Sequence, residues 1–526
     1  MICVRNLRLR VGEKERRLAA LAARALRLAP QEIGDLKILK KSLDARRKTD
    51  IRWLYTVACS VPDEEAALRR CPDASRYTPY VYPIPPARSE LPPVVVGLGP
   101  AGLFAALLLA RAGLRPVVLE RGGDVDERAE AVRRFWETGT LDTECNVQFG
   151  AGGAGAFSDG KLATGTHDSR IPFVLQTFHD FGAPESVTYD AKPHVGTDVL
   201  RAVVRNMCGE ITRLGGTIRY HARLTGLDIA QGRICGAKFS TPDGAERIAC
   251  RELILAVGHS ARDTFEWLCA IGVPMERKPF AMGVRIEHPQ RTIGLAQYGE
   301  NYVNLPAADY KLSVHLPDGG SAYTFCMCPG GYVVGAASEA GGVCTNGMSY
   351  SGRAGENANS ALLVTLRPED FPGEGVLAGM RWQREIEQRC FAIGGGDYSA
   401  PAQRVGDFLA GRPSQGAGEV QPTYRPGVRW CDLHAALPEK LTGVLEQAIP
   451  AFGKTLRGFD APDAVLTAPE TRSSCPVRIL RDGGTLESAL GGLYPCGEGA
   501  GYAGGITSAA VDGMRAAEKI IERYGI

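Results

Sequence analysis

The sequence predicts an α/β protein in two parts: a small ferredoxin-like α+β domain, then a Rossmann-like domain carrying an inserted mixed or antiparallel sheet domain. Three observations predict it. Val94 to Gly102 reads VVVGLGPAG, a buried apolar strand running into a glycine turn and the start of a helix. The first 90 residues alternate between period-two and helical spacing in the order βαββαβ. Between these two regions Pro83, Pro85, Pro86, Pro92 and Pro93 form a stiff linker.

Along the chain, Leu7, Leu9 and Val11 alternate as in a strand, and Leu18, Leu21, Ala22, Ala25 and Leu28 repeat at helical spacing. A strand from Leu36 to Ala45, the turn RRKTD and a strand placing Ile51, Trp53, Tyr55, Val57 and Cys59 on one face predict a hairpin. Asp63, Glu64 and Glu65 suit a helix start, and Tyr77 to Tyr82 is the expected last strand of this unit. Beyond the linker, strands and helices alternate to about residue 270. Residues 276 to 345, rich in Gly, Pro, Tyr and β-branched types, read as antiparallel sheet; Ser360 to Leu445 reads as helical; and 465 to 526 returns to strand, glycine loop and a last helix. The expected division is 1–88 for the basic N-terminal domain, 89–275 and 465–526 for the two parts of the Rossmann-like domain, and 276–464 for the inserted domain.

With 526 residues the chain is long enough for several domains, which excludes a disordered or disulfide-stapled mini-protein. Its 61 basic and 59 acidic residues give +2, so no whole-molecule attraction to nucleic acid or membrane is expected. Residues 1 to 90 nevertheless carry 19 Lys/Arg against 11 Asp/Glu, a charge of +8, and the remainder carries −6. Such a charge either docks this unit on the acidic remainder or meets an external acidic partner. Trp53 and Tyr55 share a face with Val57 and are expected in the core, which leaves no aromatic platform for RNA bases. The 15 cysteines lack CxxC spacing and sit in apolar runs, the pattern of a reducing cytoplasm. No apolar run predicts a membrane span, and the eight histidines show no metal-ligand spacing.

The strongest chemical signal is Gly97, Gly99 and Gly102, with Pro100 and Ala101 opening the helix and Glu120 and Arg121 closing the next strand. Gly97 permits the turn, Gly99 lets the backbone approach a pyrophosphate, and Gly102 allows close helix packing. Glu120, 18 residues beyond Gly102, stands where a carboxylate accepts from ribose hydroxyls. At the other end, LYPCGEGAGYAGGITSAAVDG from Leu493 has the form of the second FAD motif of two-dinucleotide-fold flavoproteins, with Gly497 and Glu498 in place of Gly-Asp. The helix opening at Gly505 and Ile506 would aim its positive end at the flavin. The strand Glu252 to Leu255 leads to Ala256, Val257 and Gly258, like the Ala-Thr-Gly motif of the same proteins. Three motifs in this order select FAD over NAD.

Asn146 to Leu162 is the next informative stretch. Its glycines imply backbone pressed against something flat or anionic, which places Gly152, Gly153 and Ser158 at the flavin face. Lys161 is either near the flavin or a substrate anion, or simply solvated. With FCMCPGG from Phe325, TNGMSY from Thr345, ENANSALLV from Glu356, PETRSS from Pro469 and the run Tyr494 to Gly513, this stretch resembles the FAD-dependent dehydrogenases of uncharacterised substrate found in bacteria and plastids, of the glutathione-reductase-type flavoprotein superfamily. The likeness spans most of the chain and implies the fold and FAD, but no agreed substrate. The family usually has a glutamate where Ala151 stands here, so any role of that carboxylate is missing or moved.

Cys326 and Cys328 are two apart and would share a strand face, either as buried thiols or as a redox pair. Arg472, Ser473 and Ser474, with Asn357 and Asn359, either line a substrate pocket or cap turns. Lys161 and Arg472 are the candidate catalytic side chains. The expected function is a cytoplasmic FAD-dependent oxidoreductase, a dehydrogenase passing a hydride between flavin and an unidentified small molecule. No second Gly-x-Gly-x-x-Gly follows a strand, so no dedicated NAD(P)H domain is expected, and NAD(P)H or another electron donor could act only by transient binding. Membrane is not an expected partner, and neither is nucleic acid. The competing readings are an RNA-acting flavoprotein and a non-catalytic flavin redox sensor.

Overall fold

The computed structural model describes all 526 residues. Strand Ile2–Arg10, helix Leu18–Leu26, strands Leu36–Asp44 and Arg52–Cys59, helix Glu64–Arg70 and strand Ser75–Arg76 follow in the order βαββαβ. They form a four-stranded antiparallel sheet, with Arg52–Cys59 and Ile2–Arg10 inside and Leu36–Asp44 and Ser75–Arg76 at the edges. Leu18, Ala22 and Leu26 on the first helix pack against Val4, Leu9, Tyr55 and Val57, the core that both periodicities call for. The last strand differs from expectation. It is the pair Ser75–Arg76, hydrogen-bonded to Ile2 and Cys3, whereas residues 77 to 82 run on outside any strand. Pro79 interrupts that stretch and Pro83 follows it, and a proline lacks the N–H a ladder needs.

The second unit is a five-stranded parallel sheet in the order Leu493–Pro495, Leu253–Leu255, Val94–Val96, Val117–Leu119, Thr217–Arg219. Its three-residue strands are mostly buried on both faces, as continuous Val/Leu runs require. Helix Pro100–Arg111 is buried from Ala101 to Ala110, because helix Ile506–Tyr524 covers the side turned away from the sheet. A Cβ on Gly513 would stand 2.0 Å from the carbonyl oxygen of Ala101, so the two helices cross backbone to backbone. Between Thr217–Arg219 and Leu253–Leu255 the expected alternation is interrupted by an antiparallel meander, Arg223–Ala230, Arg233–Thr241 and Gly244–Ala249.

The third body is a seven-stranded mixed sheet in the order Ser313–His315, Ser321–Cys328, Asn357–Leu366, Phe280–Pro289, Val465–Glu470, Ala400–Arg404, Val428–Trp430. Helices Ala378–Gly394 and Glu439–Thr455 cover one face. Asn357–Leu366 stands inside the stretch expected to be helical, and it is a central strand. It is buried almost throughout, and an unbroken buried run carries no period that separates strand from helix. Alternation nevertheless operates on the strand paired with it. On Phe280–Pro289, Phe280, Met282, Val284 and Ile286 join the apolar core, while Arg285 and Glu287 point to the other face with Asn357 and Asn359 of the neighbouring strand. Val465–Glu470, expected in the Rossmann-like part, pairs with Phe280–Pro289 in this sheet.

The basic N-terminal unit docks through backbone pairing at Lys41 and through the hairpin at Lys48, whose ammonium donates to the Ala296 carbonyl at 2.6 Å and whose carbonyl accepts from Asn301 at 3.2 Å. The Lys41 amide donates to the Tyr189 carbonyl and the Ala191 amide to the Lys41 carbonyl, each at 2.8 Å, adding residues 189–191 to the edge strand. Its ion pairs stay internal: Lys41 with Glu15, Arg46 with Asp44 and Arg76 with Glu65. Opposite net charge is therefore not what holds it. Residues 193–195 continue from this junction to pair with 160–162, the Leu162 amide donating to the Pro193 carbonyl at 2.9 Å and the Val195 amide to the Gly160 carbonyl at 3.1 Å. One strap thus joins the edge of the N-terminal sheet to the loop bearing Lys161. Lys41→Pro removes the amide that starts this junction, and should speed hydrogen exchange at Ala191 and proteolysis within 186–196 while Lys41→Ala changes neither. Equal protection in both variants would contradict the strap.

Candidate functional site

Where the parallel strands end, the turns after Val94–Val96, Val117–Leu119, Leu253–Leu255 and Leu493–Pro495 open onto one cleft. This is the edge at which open α/β sheets bind ligands. The cleft encloses about 1510 Å³ of non-atom space, part of it open to solvent, and has a second wall formed by Phe325, Cys326 and Glu470 of the seven-stranded sheet, by Arg472 and Ser473 just beyond it, and by Asn346 of strand Thr345–Met348, which pairs with Tyr332–Gly335 in a separate ribbon. Of the residues singled out in sequence, Gly97, Gly99, Pro100, Ala101, Glu120, Arg121, Gly153, Ser158, Lys161, Ala256 and Gly258 line it. So do Arg472, Gly497, Glu498, Gly505 and Ile506. Chain segments 400 residues apart are brought together here.

Two predicted cofactor positions stand behind the cleft. Gly102 packs on the turn: a Cβ there would lie 1.8 Å from the Gly97 carbonyl oxygen, the close helix–strand contact expected of a third glycine. Gly152, expected at the flavin face, instead faces Val204 and Ala156, and its amide donates to the Leu98 carbonyl at 2.8 Å. Glycine was needed there for φ +89 and not for approach to a ligand.

Glu120, 4% exposed, accepts from the amides of Leu98 at 2.7 Å, Gly122 at 2.9 Å and Gly150 at 2.8 Å. One carboxylate thereby fastens three loops of the cleft floor, and of its four lone-pair positions one remains for a ligand hydroxyl. Arg121 lies over the Phe149 ring at 4.3 Å and pairs with Asp263. Helices Pro100–Arg111 and Ile506–Tyr524 both begin on the cleft, presenting amides to an anionic or electron-rich ligand. A glycine turn against a helix start, an acid at the end of the second strand and a second helix start form the donor and acceptor set that a flavin dinucleotide requires.

The wall from the seven-stranded sheet is held by buried ions. Glu387, 1% exposed, receives Arg262 at 2.9 Å on each oxygen, Arg472 at 3.0 and 2.8 Å, and the Thr471 hydroxyl at 2.6 Å. Burial opposes its ionisation, but the two guanidiniums overcome that and hold the carboxyl well below the usual range. Arg472 also reaches Ser338 and, at 3.1 Å, Ser260, so this catalytic candidate is occupied with positioning. Arg285, fully buried, makes a second pair with Glu470 at 3.0 and 2.8 Å and donates to Asn359 at 3.1 Å. Asn357 donates to Glu287 at 3.1 Å. The two asparagines belong to this network behind the wall rather than to the cleft surface.

Cys326 and Cys328 do not share a face. A bulge between Phe325 and Cys328, with Cys326 at φ +43, turns Cys326 into the cleft and leaves Cys328 wholly buried. Burial pushes the Cys328 thiol up to about 12. The bulge takes carbonyls out of the ladder, and side chains satisfy them: Ser360 donates to Phe325 at 3.1 Å, Arg285 to Cys326 at 2.9 Å, and Lys161 to Met327. Reading only period two along FCMC hides this.

His259 and Glu498 meet at the opposite lip, Nε2 to Oε1 at 3.6 Å, and His259 Nδ1 lies 3.0 Å from Ser260. Burial, with Arg472 and Arg262 nearby, pushes His259 down to about 3, so it is neutral. Burial moves Glu498 the other way, from 4.5 to about 7, despite the Gly505 amide. The motif alone marked position 498, but only the surroundings reveal a carboxyl that keeps its proton near neutrality.

Replacing Glu387 with Ala leaves two buried guanidiniums with only the part-exposed Glu339 carboxylate, 2.5 Å from Arg262 and 3.9 Å from Arg472, as a counter-charge, and should cost up to about 3–5 kcal/mol, read from denaturant unfolding; a loss within experimental error of zero would refute the clamp. For Glu498 the folded state binds its proton more tightly than the unfolded state, so the protein loses stability as pH rises from 4.5 to about 7. Flavin-free Glu498→Gln should therefore melt with wild type at pH near the lower value and above it at pH beyond the upper one. A constant difference at all pH values would argue against a raised carboxyl.

The model of a family described as "FAD-dependent protein, C-terminal domain-like" matches residues 279–473, and that of a domain of unknown function matches 1–60. A protein of Clostridium beijerinckii, called uncharacterized, is 46% identical over 535 aligned residues that cover 100% of this chain and 99% of the relative. Solved structures with similar folds include glycerol-3-phosphate dehydrogenase from Bacillus halodurans complexed with FAD, at 11% identity and TM-score 0.35, covering 83% of this chain and 65% of that one. A halogenase, PltM, in complex with FAD gives 9% identity and TM-score 0.40, covering 83% and 70%. Likeness this low supports no inference about chemistry. No helix is long and apolar enough to cross a membrane. The full-length relative and the matching domain together place this chain in the family of the Clostridium beijerinckii protein, a family of flavoproteins whose cofactor is FAD.

Proposed function

We propose that the protein is an FAD-dependent oxidoreductase that passes a hydride between the flavin and a small-molecule substrate. The observation that carries this reading is the convergence of three glycine turns, Glu120 and two helix starts on one cleft that continues onto a separate polar wall. When bound, FAD supplies a two-electron carrier. The chain's own part is to bind, orient and exclude water. Glu120 and Arg121 would hold the adenosine half, and Gly97, Gly99 and the start of Pro100–Arg111 the pyrophosphate. Gly153, Ser158, Ala256 and Gly258 would flank the remainder, with Gly497, Glu498, Gly505 and Ile506 at the ring end. The seven-stranded wall closes that end with Cys326 and, just beyond the sheet, Ser473; these, together with Lys161 of the glycine-rich loop and Asn346 of strand Thr345–Met348, would face a substrate. Electrons from NAD(P)H or another donor would arrive by transient binding.

Gly99 allows a test that spares the fold. Its φ is −74, and an added Cβ would meet only the Gly153 Cα at an ordinary 3.7 Å, in contrast to Gly97 and Gly102, where backbone oxygens stand within 2.4 Å. Gly99→Ala should therefore keep flavin-free stability within about 0.5 kcal/mol of wild type, yet weaken FAD binding by roughly tenfold or more if the backbone must touch the pyrophosphate. Unchanged FAD affinity would overturn this placement. Anaerobic stopped-flow reduction addresses the reaction: bleaching and recovery of the flavin band on a catalytic timescale with a metabolite and a donor supports the oxidoreductase. Reduction that alters partner affinity without turnover would instead support a redox sensor.

A further inference from the structure

At the ring end of the cleft the charges do not cancel. Asp159, 1% exposed, is bound by Arg353 at 2.5 Å and by the Ser349 hydroxyl, and Glu470 is bound by Arg285. Arg472 is spent on Glu387. His194 beside Asp159 is neutral, because burial, with Arg353 nearby, pushes it down to about 4. Glu498, on the opposite lip, favours its neutral form because burial pushes it up to about 7, which leaves Lys161 as the uncompensated group. Its side chain is 31% exposed and lines the cleft, and its ammonium, 3.9 Å from the already paired Asp159, spends one of three donors on the Met327 carbonyl. The strap through residues 193–195 fixes the backbone that carries it.

The same end offers an apolar surface. Phe325 is 37% exposed, one of few large apolar side chains so displayed, and it stands edge-on to Tyr323 with ring centroids 6.4 Å apart. The bulge that follows it is what turns the strand here. Ala154 and Gly155 line the same cleft with little side-chain bulk of their own. Asn346 sits on the same wall. Its oxygen accepts from its neighbour Gly347 at 2.8 Å, and this turns the amide NH2 the other way as a second, neutral donor.

We propose that the ring end of this cleft takes an anionic substrate with a flat apolar body, its carboxylate on the Lys161 ammonium and its body against the Phe325 ring. The proposal rests on the reading of the cleft as the flavin site and adds the substrate's class. An ammonium with two spare donors in a half-buried cleft favours an anion and repels a cation, and a neutral amide of the same shape forgoes that attraction.

The test uses FAD-loaded protein with benzoate and benzamide as probes, followed by calorimetry and by perturbation of the flavin spectrum. Benzoate should bind saturably and roughly tenfold or more tighter than benzamide. Lys161→Met should abolish that preference, Lys161→Arg should keep it, and Phe325→Ala should weaken both probes alike. Absence of saturable benzoate binding, equal affinity for the two probes, or a preference that survives Lys161→Met each overturns the proposal. Because the wild-type comparison needs no variant, a misfolded Lys161→Met does not protect it. FAD content, measured after acid release from each sample, keeps the two readings apart: flavin retained with no anion preference sinks the substrate class alone, whereas failure to hold FAD in the cleft sinks the flavin-site reading.

Discussion

The wall opposite the glycine turns depends on one buried carboxylate. Glu387 lies on the helix that covers the seven-stranded sheet, Arg262 begins the helix that follows the third glycine turn, and Arg472 follows strand Val465–Glu470. The ion triad therefore ties the parallel-sheet body to the mixed-sheet body at the rim of the cleft. Burying such ions is costly, and replacing them with well-packed apolar groups is often neutral or stabilising, so stability alone does not account for them. What they provide here is position. Arg472 passes its orientation to Ser260, and Ser260 to His259, which faces Glu498 across 3.6 Å.

A second consequence follows for how polar groups are distributed. Behind the cleft wall of the mixed sheet, buried Arg285 bonds to Glu470 and Asn359, and buried Glu287 accepts from Asn357. A buried layer of this kind is stiff because its bonds act in a low-dielectric interior, and among these five side chains only the Asn359 Nδ2 lacks a partner. Its rigidity lets the bulge at Cys326 persist, since Arg285 from the network and Lys161 from the glycine-rich loop take up the carbonyls that the bulge frees. Lys161 thus has two duties. One donor supports the fold, and the others face the cleft.

The N-terminal unit adds a mechanical link to the same place. Its edge strand binds residues 189–191, and the next few residues pair with the loop that carries Lys161. Backbone pairing of this sort is insensitive to salt, unlike the attraction between a basic unit and an acidic remainder that net charge suggests. It also covers an otherwise open sheet edge.

The sequence by itself determined the elements whose signals are local. Gly97 and Gly102 mark the first turn because only glycine fits between strand and helix there, Gly99 keeps its backbone open to the cleft, and Gly505, at φ +108, marks the second helix start. The βαββαβ order of the first 76 residues was legible because each element buries one face only, which leaves a period to read. Asn357–Leu366 was not legible, since a central strand buried on both faces has no hydrophobic period, and Tyr77–Tyr82 misled because alternation there is not backed by partners. Gly152 was misassigned because a glycine needed for backbone angle reads the same as one needed for ligand approach. Tertiary structure alone decided that Cys326 and Cys328 face apart, that Arg472 is clamped, and that Lys161 remains uncompensated. Each depends on groups far away in the chain, and Coulomb and hydrogen-bond energies act through space with no trace in local spacing.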